Sequence, residues 1–532
     1  MASSGVHVTE LLTAMSLATD LGLGQPPEHM LRAARISLRL GERLGLDTIQ
    51  LATLYDVSIL TYVGCPVFGN EAATIFGDDI EFRSHAAEVD IGGFAGMKFM
   101  LRRAGSGTTA FNRARQIAGL MATSGRSVIE QMANHCAAAG VLAEQLGLSD
   151  QVRIGVQQSY ARWDGKGVPR DLAGEALSLS ARISHIAETC EVLGRTMGVD
   201  EALDVVRSRS GTHFDPHLVD ALRLDPDAIF SRIDENTIDE ILDAEPIERP
   251  ALTEDELDVA LQAIGDFCDL RCAFFAGHAR GTADLVAAAS QLLQMPASEA
   301  TLCRRAALVH DVGRFGVPGS VWDKPGPLTD RERERMRMHV YYVERIFDRP
   351  EPLRRVGLLA ATHHERMDGT GYHRGVGGPM ISMSAKILAA ADAYHAMTQP
   401  RPYRPAMLAE DAARELREDA AQGRLDHVAT DAVLAAAGLP TSRSRAGGPS
   451  GLTSREGDVL GLVAQGLANK AVARQLGISP KTVGNHIEHI YTKLGVSSRA
   501  AAAMHAMRLG LVDANPGDPH VDVPHPPSRR NG

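Results

Sequence analysis

The chain repeats itself. The stretch RWDGKGVP (162–169) is answered by RMDGTGYH (366–373), an offset of 204 residues. The same offset carries SARISHIAE (180–188) onto SAKILAAAD (384–392), and His135 onto His339. Further upstream the offset becomes 249, so that His29 falls on His278 and Gly64 on Gly313. The difference of 45 residues places an insertion in the first copy, between about 66 and 130. Two copies of one sequence pattern fold alike, so the repeat constrains the whole body of the molecule.

Alanine, leucine and arginine dominate both copies, apolar residues recur at three- and four-residue spacing, and strand signals are sparse. That periodicity predicts an all-α fold. Residues 25–250 form the first helical domain, with the insertion, and residues 251–437 the second. Residues 1–24 are set apart as an N-terminal segment. GLPTSRSRAGGPS (438–450) reads as a flexible linker. A third, smaller module occupies 451–513, and the Pro-rich stretch 514–532 reads as a disordered tail.

At 532 residues, with 44% hydrophobic and 23% charged residues, the composition is that of a soluble globular protein. No apolar run of membrane-spanning length occurs, and MASSGVHVTE lacks the order of a signal peptide. Six scattered cysteines without framework spacing fit reduced thiols in a cytoplasm. The net charge of -11 is uneven, because Gly451 to Val512 carries seven Lys/Arg against three Asp/Glu. An acidic body with a basic C-terminal module points to nucleic acid at the module alone.

The chemistry gathers in the second copy. AALVHDVGRFGVP places His310 and Asp311 where an apolar helix ends and the backbone opens. An aspartate can bridge two cations with its two oxygens, and a neutral imidazole is a good ligand. His278, His339, His363, His364 and Asp392 complete a set of five histidines and two carboxylates. That is enough for two octahedral ions sharing a bridging water. Such a pair would lower the pKa of the water and neutralise an anionic phosphodiester. Gly369, Gly371 and Gly375 let the following loop turn closely over a flat ligand.

The pieces HDVGR, KPGPLT (324–329), HHERMDGTGYH and DAYHAMTQPRPYR (392–404) resemble the HD-GYP branch of the HD phosphohydrolase superfamily. The resemblance covers about 160 residues. It implies an all-helical domain that hydrolyses cyclic di-GMP at a centre of iron or manganese. It implies the seven residues above as metal ligands, phosphate contacts from Arg401 and Arg404, and a guanine or ribose contact near Tyr372. Three positions depart from the family pattern. The lysine after the HD pair is Arg314, assigned here to catalysis beside Asp311, although an arginine cannot give up a proton at neutral pH. The proline of the signature tripeptide is His373. Phe274 stands where members with a third metal carry glutamate, which leaves a binuclear centre. In the first copy Thr61-Tyr62 replaces the HD pair, Ser159-Tyr160 replaces the double histidine, and Glu188 replaces Asp392. That copy is expected to bind no metal and to serve dimerisation, sensing or regulation.

In the third module, Thr453 with Glu456 reads as a capping box. NKAVARQLGISPKTVGNHIEHIYTKLGV then reads as helix, turn, helix: Gly477 makes the turn, Ser479 caps, and Pro480 opens the second helix. Val483, Ile487, Ile490 and Leu494 form its buried stripe. Lys481, Gly484, Asn485, Glu488 and Thr492 face outward, where base edges would lie. The stretch resembles the LuxR-type helix-turn-helix, in which many members carry lysine at the place of Gly484. Lys481, Thr482, Asn485, Glu488 and Lys493 are the candidate DNA contacts, with Arg499 as a further phosphate contact. The expectation is a transcriptional regulator, homodimeric on double-stranded DNA, with a two-metal phosphodiesterase for a cyclic dinucleotide. The alternatives are a nucleotide-sensing transcription factor without turnover, and a hydrolase of another phosphate ester.

Overall fold

A computed structural model of the chain describes residues 4–67, 69–90, 94–106, 109–122, 126–231, 237–440, 454–494, 496 and 498–508. The regular structure among these residues is helical, as the periodicity predicts. Residues 441–450 of the linker, the capping residue Thr453, residues 509–513 of the module and the tail 514–532 lie outside the described residues. Residues 1–440 form one compact unit and the C-terminal module a second.

Both copies of the repeat are visible in the body. In the second, the helices Glu254–Asp269, His278–Leu292, Ala297–Val309, Asp330–Ile346, Glu351–Ala360 and Met383–Thr398 surround the site. In the first, Val8–Leu23, His29–Arg43, Thr48–Leu60, Arg126–Gln145, Asp150–Val156 and Leu179–Met197 follow the same order. The helix Val8–Leu23 thus stands where Glu254–Asp269 stands, although repeat arithmetic set residues 1–24 apart. Its Leu11, Leu12 and Met15 are fully buried in a core shared with Leu261, Ile264 and Val309 of the second copy. The two copies are therefore halves of one hydrophobic body.

Glycines mark the equivalence most sharply. A Cβ on Gly64 would lie 2.1 Å from the carbonyl oxygen of His135, and one on Gly313 would lie 1.9 Å from that of His339. Gly167 and Gly371 are likewise pressed against backbone, at Tyr160 and at His364 to Arg366. Gly165 and Gly369 both take left-handed φ, 73° and 76°. These contacts bring the middle helix of each copy against the turn that follows the third.

The insertion folds as helices Gly69–Phe76, Asp79–Ala86, Phe94–Arg103 and Ala110–Ala122, with a small core of its own around Phe76, Met100 and Leu120. It is tied to the second copy by a fully buried ion pair. Arg271 Nη1 donates to Asp79 Oδ2 at 2.8 Å and to Pro66 O at 2.6 Å, and Nη2 to Val317 O at 2.7 Å. The Gly319 amide donates to Asp79 Oδ1 at 2.7 Å. Both terminal nitrogens of Arg271 and both oxygens of Asp79 are thus engaged, while Arg271 Nε has no hydrogen-bond partner; removing either residue would strand a charge in the core. All six cysteines are free and buried, and no helix among the described residues is long and apolar enough to cross a membrane.

A methyl group at Gly313 has nowhere to go, because its neighbour is backbone. Gly313→Ala is expected to lower stability by about 3 kcal/mol, the upper part of the usual cost of overpacking. Thermal denaturation of the full-length protein measures it. An unchanged midpoint would contradict the close approach.

Candidate metal centre and nucleic-acid interface

Each ligand candidate sits where local structure aims it inward. Gly277, at φ 77°, starts the helix His278–Leu292 and places His278 on its first turn. His310 ends the helix Ala297–Val309, and Asp311 opens the short 3-10 turn Val312–Gly316. His339 and Asp392 lie within helices, and His363 and His364 on the turn after Glu351–Ala360.

All seven converge. His278 Nε2 lies 3.1 Å from Asp392 Oδ1 and 3.5 Å from Asp311 Oδ2. His310 Nε2 lies 2.9 Å from Asp311 Oδ2 and 3.6 Å from Asp392 Oδ1. On the other side, His339 Nε2 and His363 Nε2 are each 3.7 Å from Asp311 Oδ1 and 3.2 Å from one another. His364 joins these two, with Nδ1 at 4.0 Å from Asp392 Oδ2. One carboxylate thus faces two groups of imidazoles with its two oxygens.

The ring orientations are set from outside. The Nδ1–H groups of His310 and His363 each donate at 2.7 Å to the carbonyl three residues back, Ala307 and Ala360. This leaves Nε2 to face the carboxylates, the arrangement of a metal-bound histidine. Asp311 Oδ1 is buried with no hydrogen-bond partner, and His310 Nε2 has only the carboxylates of Asp311 and Asp392 beside it. Such atoms are costly unless something else occupies the space between them. The donor set and these orphaned atoms fit a metal centre.

Electrostatics agree. Burial pulls His278 and His363 down to about 4 and His339 to about 3, and drives His364 well below its ordinary range. These four are neutral, as ligands must be. His310 is also penalised by burial, but Asp311 and Asp392 outweigh it and push the imidazole up to about 10. Burial raises the Asp311 and Asp392 carboxyls too; Arg314 and His310 overcome it at Asp311, and His278 and His310 at Asp392, holding both well below the usual range. Without a cation, therefore, a proton on His310 balances part of the negative charge.

Several participants were not singled out in the sequence. His395 Nδ1 lies 3.0 Å from His278 Nδ1 and steadies that ring from behind. Gly281 makes room for it: a Cβ there would fall 2.0 Å from His395 Nε2. Glu365 accepts from the amides of Arg374 at 2.8 Å and Gly375 at 3.2 Å, which holds the glycine loop. Phe275 and Trp322 flank Arg314, whose guanidinium lies 3.7 Å and 5.2 Å from the two rings. The sequence signals for His395 and Glu365 were their places in DAYHAMT and HHERMDGTGYH; for the others there was none.

The assigned substrate residues divide. Tyr372 stacks on His364, ring centroids 4.8 Å apart, at the edge of the centre. Arg314 pairs with Asp311 and keeps Nε and Nη1 without hydrogen-bond partners. Arg401 is buried over Phe275 and donates to Phe274 O. Arg404 is different: its nitrogens donate to the carbonyls of Ala396, Met397, Gln399 and Pro405. Those bonds end the helix Met383–Thr398 and shape the loop after it.

The first copy has lost the chemistry. His29 is committed to Glu191, and Glu188 lies 3.8 Å from its Nε2. Among the described residues, no ligand cluster occurs there.

In the C-terminal module, Gly477 takes φ 66° between Asn469–Leu476 and Pro480–Leu494. Ser479 Oγ accepts from the Thr482 amide at 3.1 Å, the cap expected there. Val483 and Ile490 are buried, while Lys481, Asn485, Glu488 and Thr492 are exposed. Thr482 is half-buried, its hydroxyl 2.8 Å from that of Ser479. Lys493 bonds Glu456 at 2.7 Å, and Arg499 is spent on Leu467 O and Asn469. These two basic residues brace the module in this structure.

Two outcomes follow for metal binding. Because His310 holds a proton at neutral pH, metal uptake must release it, and affinity should rise with pH towards about 10. Calorimetric titration at pH 7 in buffers of different ionisation enthalpy should show proton release; equal heats would contradict it. Gly281→Ala, by displacing His395, should weaken metal binding about tenfold, the usual cost of losing a supporting partner.

Residues 121–218 and 262–428 match the HD domain family, and residues 450–506 match the bacterial regulatory proteins of the luxR family. A 3'3'-cGAMP-specific phosphodiesterase (number 3) of Vibrio cholerae is 28% identical over 424 residues, covering 79% of this chain and 92% of that protein. A cyclic di-GMP phosphodiesterase of Thermotoga maritima is 42% identical over 113 residues, 21% of this chain and 31% of that one. The crystal structure of a cyclic GMP-AMP-specific phosphodiesterase of V. cholerae superposes with a TM-score of 0.56 and 26% identity, covering 82% of this chain and 98% of that one. The chain belongs to the HD domain family, with two copies of which the second brings together groups of His and Asp side chains that could hold a metal, and it ends in a luxR-family DNA-binding domain.

Proposed function

We propose that residues 251–437 hydrolyse a cyclic dinucleotide, and that residues 451–513 bind double-stranded DNA in the same regulatory protein. The observation that carries the first part is Asp311, whose two oxygens face two separate groups of imidazoles. Two divalent transition ions, iron or manganese, would be held by His278, His310 and Asp392 on one side and by His339, His363 and His364 on the other. When bound, such a pair supplies an activated water and neutralises phosphodiester charge.

The protein's own residues do the rest. Tyr372, fixed against His364, offers a flat face for a base at the rim. Arg401 is drawn down by burial to about 10 and stays charged at neutral pH, next to the site, as a phosphate partner. Arg314 keeps its charge and acts electrostatically, by holding Asp311 ionised and by presenting unpaired N–H groups to an anion. The loop held by Glu365 encloses this side.

The substrate we favour is 3'3'-cyclic GMP-AMP, because the relative that spans both copies is named as specific for it. Cyclic di-GMP, implied by the motif resemblance, is the second reading; the relative 42% identical within the site region is named for it. The complete ligand set favours turnover over sensing alone. We place the protein in the cytoplasm as a homodimer, since helix-turn-helix domains of this kind read paired half-sites.

Purified full-length protein should hydrolyse 3'3'-cyclic GMP-AMP faster than cyclic di-GMP. Asp311→Ala should abolish hydrolysis while DNA binding persists. Undiminished turnover in that variant would refute the mechanism, and the reverse preference would select the second reading. On the DNA side, a Cβ at Gly484 meets nothing within 4 Å. Gly484→Lys should therefore be accommodated, tighten DNA binding and steepen its salt dependence by about one counterion. An unchanged salt slope would mean that this face does not meet the backbone.

A further inference from the structure

The first copy encloses a cavity of 370 Å³ where the second has its metal centre. Its size lies within the range of small-molecule sites. Tyr62 and Tyr160 line it, at the positions equivalent to Asp311 and His364. Their rings are 5.6 Å apart, and the Tyr160 hydroxyl lies 2.8 Å from Cys65 Sγ. Aromatic surface has thus replaced ligands. The insertion supplies further walls, with Phe76, Phe82 and Met100, and Met132 follows from the helix Arg126–Gln145.

The cavity is also cationic. Arg83 lines it and is 91% buried (relative exposure 9%). Its Nη1 donates to Asp79 at 2.6 Å and to Gly22 O at 3.2 Å, but its Nη2 is buried with no hydrogen-bond partner. The guanidinium of Arg209, also in the lining, donates to Glu88 O at 3.3 Å. Of the two carboxylates in the lining, Asp90 is paired with Arg162. A buried guanidinium with a free N–H edge is costly unless an anion meets it. The other lining residues are of two kinds: polar ones such as Gln131, Lys166, Arg170, Glu188 and Thr189, and an apolar group of Phe76, Phe82, Met97, Met100, Val128 and Met132 that can take a hydrocarbon body.

We infer that this cavity binds a small apolar monoanion, a carboxylate on a hydrocarbon or aromatic body. The acid group pairs with the Arg83 guanidinium, and the body lies among Phe76, Phe82, Met100 and Met132. The site is separate from the metal centre and turns the degenerate copy into a sensory domain for a chemically different ligand.

The test uses full-length protein titrated by calorimetry with decanoate, with uncharged 1-decanol, and with 3'3'-cyclic GMP-AMP as competitor. Decanoate should bind once per chain, at least tenfold more tightly than decanol, and raise the unfolding temperature. Ala87→Phe, at a half-buried position in the lining, and Arg83→Met should each weaken decanoate at least tenfold while metal content stays unchanged. Should Arg83→Met fail to fold, Ala87→Phe and the decanol comparison decide the matter. Equal affinity for decanol, undiminished binding to Ala87→Phe, no saturable decanoate binding, or displacement of decanoate by the cyclic dinucleotide would each overturn the assignment.

Discussion

One carboxylate organises the second copy. Asp311 is buried, which by itself opposes ionisation, yet Arg314 and the surrounding imidazoles keep it charged. Its Oδ2 faces His278 and His310, and its Oδ1 faces His339 and His363. The rest of the copy is arranged to deliver these groups to one point. A left-handed glycine starts one helix at His278, another helix ends at His310, and a third brings His339 close because Gly313 carries no side chain. Backbone carbonyls then orient the rings. The unbalanced atoms left between them mark the candidate site for cations.

The degenerate copy shows what this arrangement is without its chemistry. The same glycine contacts recur at Gly64 and Gly167, so the scaffold persists after the ligands are gone. Tyrosines fill the vacated positions, and the insertion covers them. The copies are not independent: they share one core, and the Asp79–Arg271 pair locks the insertion to the second copy. A fragment carrying only one copy would expose that shared core to water, so the body is expected to fold as a unit.

Much of this was legible in the sequence, for identifiable reasons. The repeat exposed equivalent positions, and ligand chemistry is confined to few residue types, so all seven candidates could be named and all seven converge. The turn glycine and the Ser479 cap were legible because each acts within a few residues. What was not legible depends on distant partners. Arg404 is spent on carbonyls of the preceding helix, and Lys493 and Arg499 on contacts within their module. His395 acts only because Gly281 lets it pass. The helix Val8–Leu23 fell outside the repeat as read, since no motif marked it. The cavity of the first copy is walled in part by an insertion that has no counterpart in the repeat.

The central claim is that metal belongs to the second copy and straddles Asp311. Anomalous X-ray diffraction from crystals of the full-length protein, grown with manganese or iron, tests it most directly. The account predicts anomalous density on both sides of the Asp311 carboxylate and none near His29, His135 and Glu188. Density in the first copy, or a single ion that leaves one oxygen of Asp311 without a cation, would contradict it.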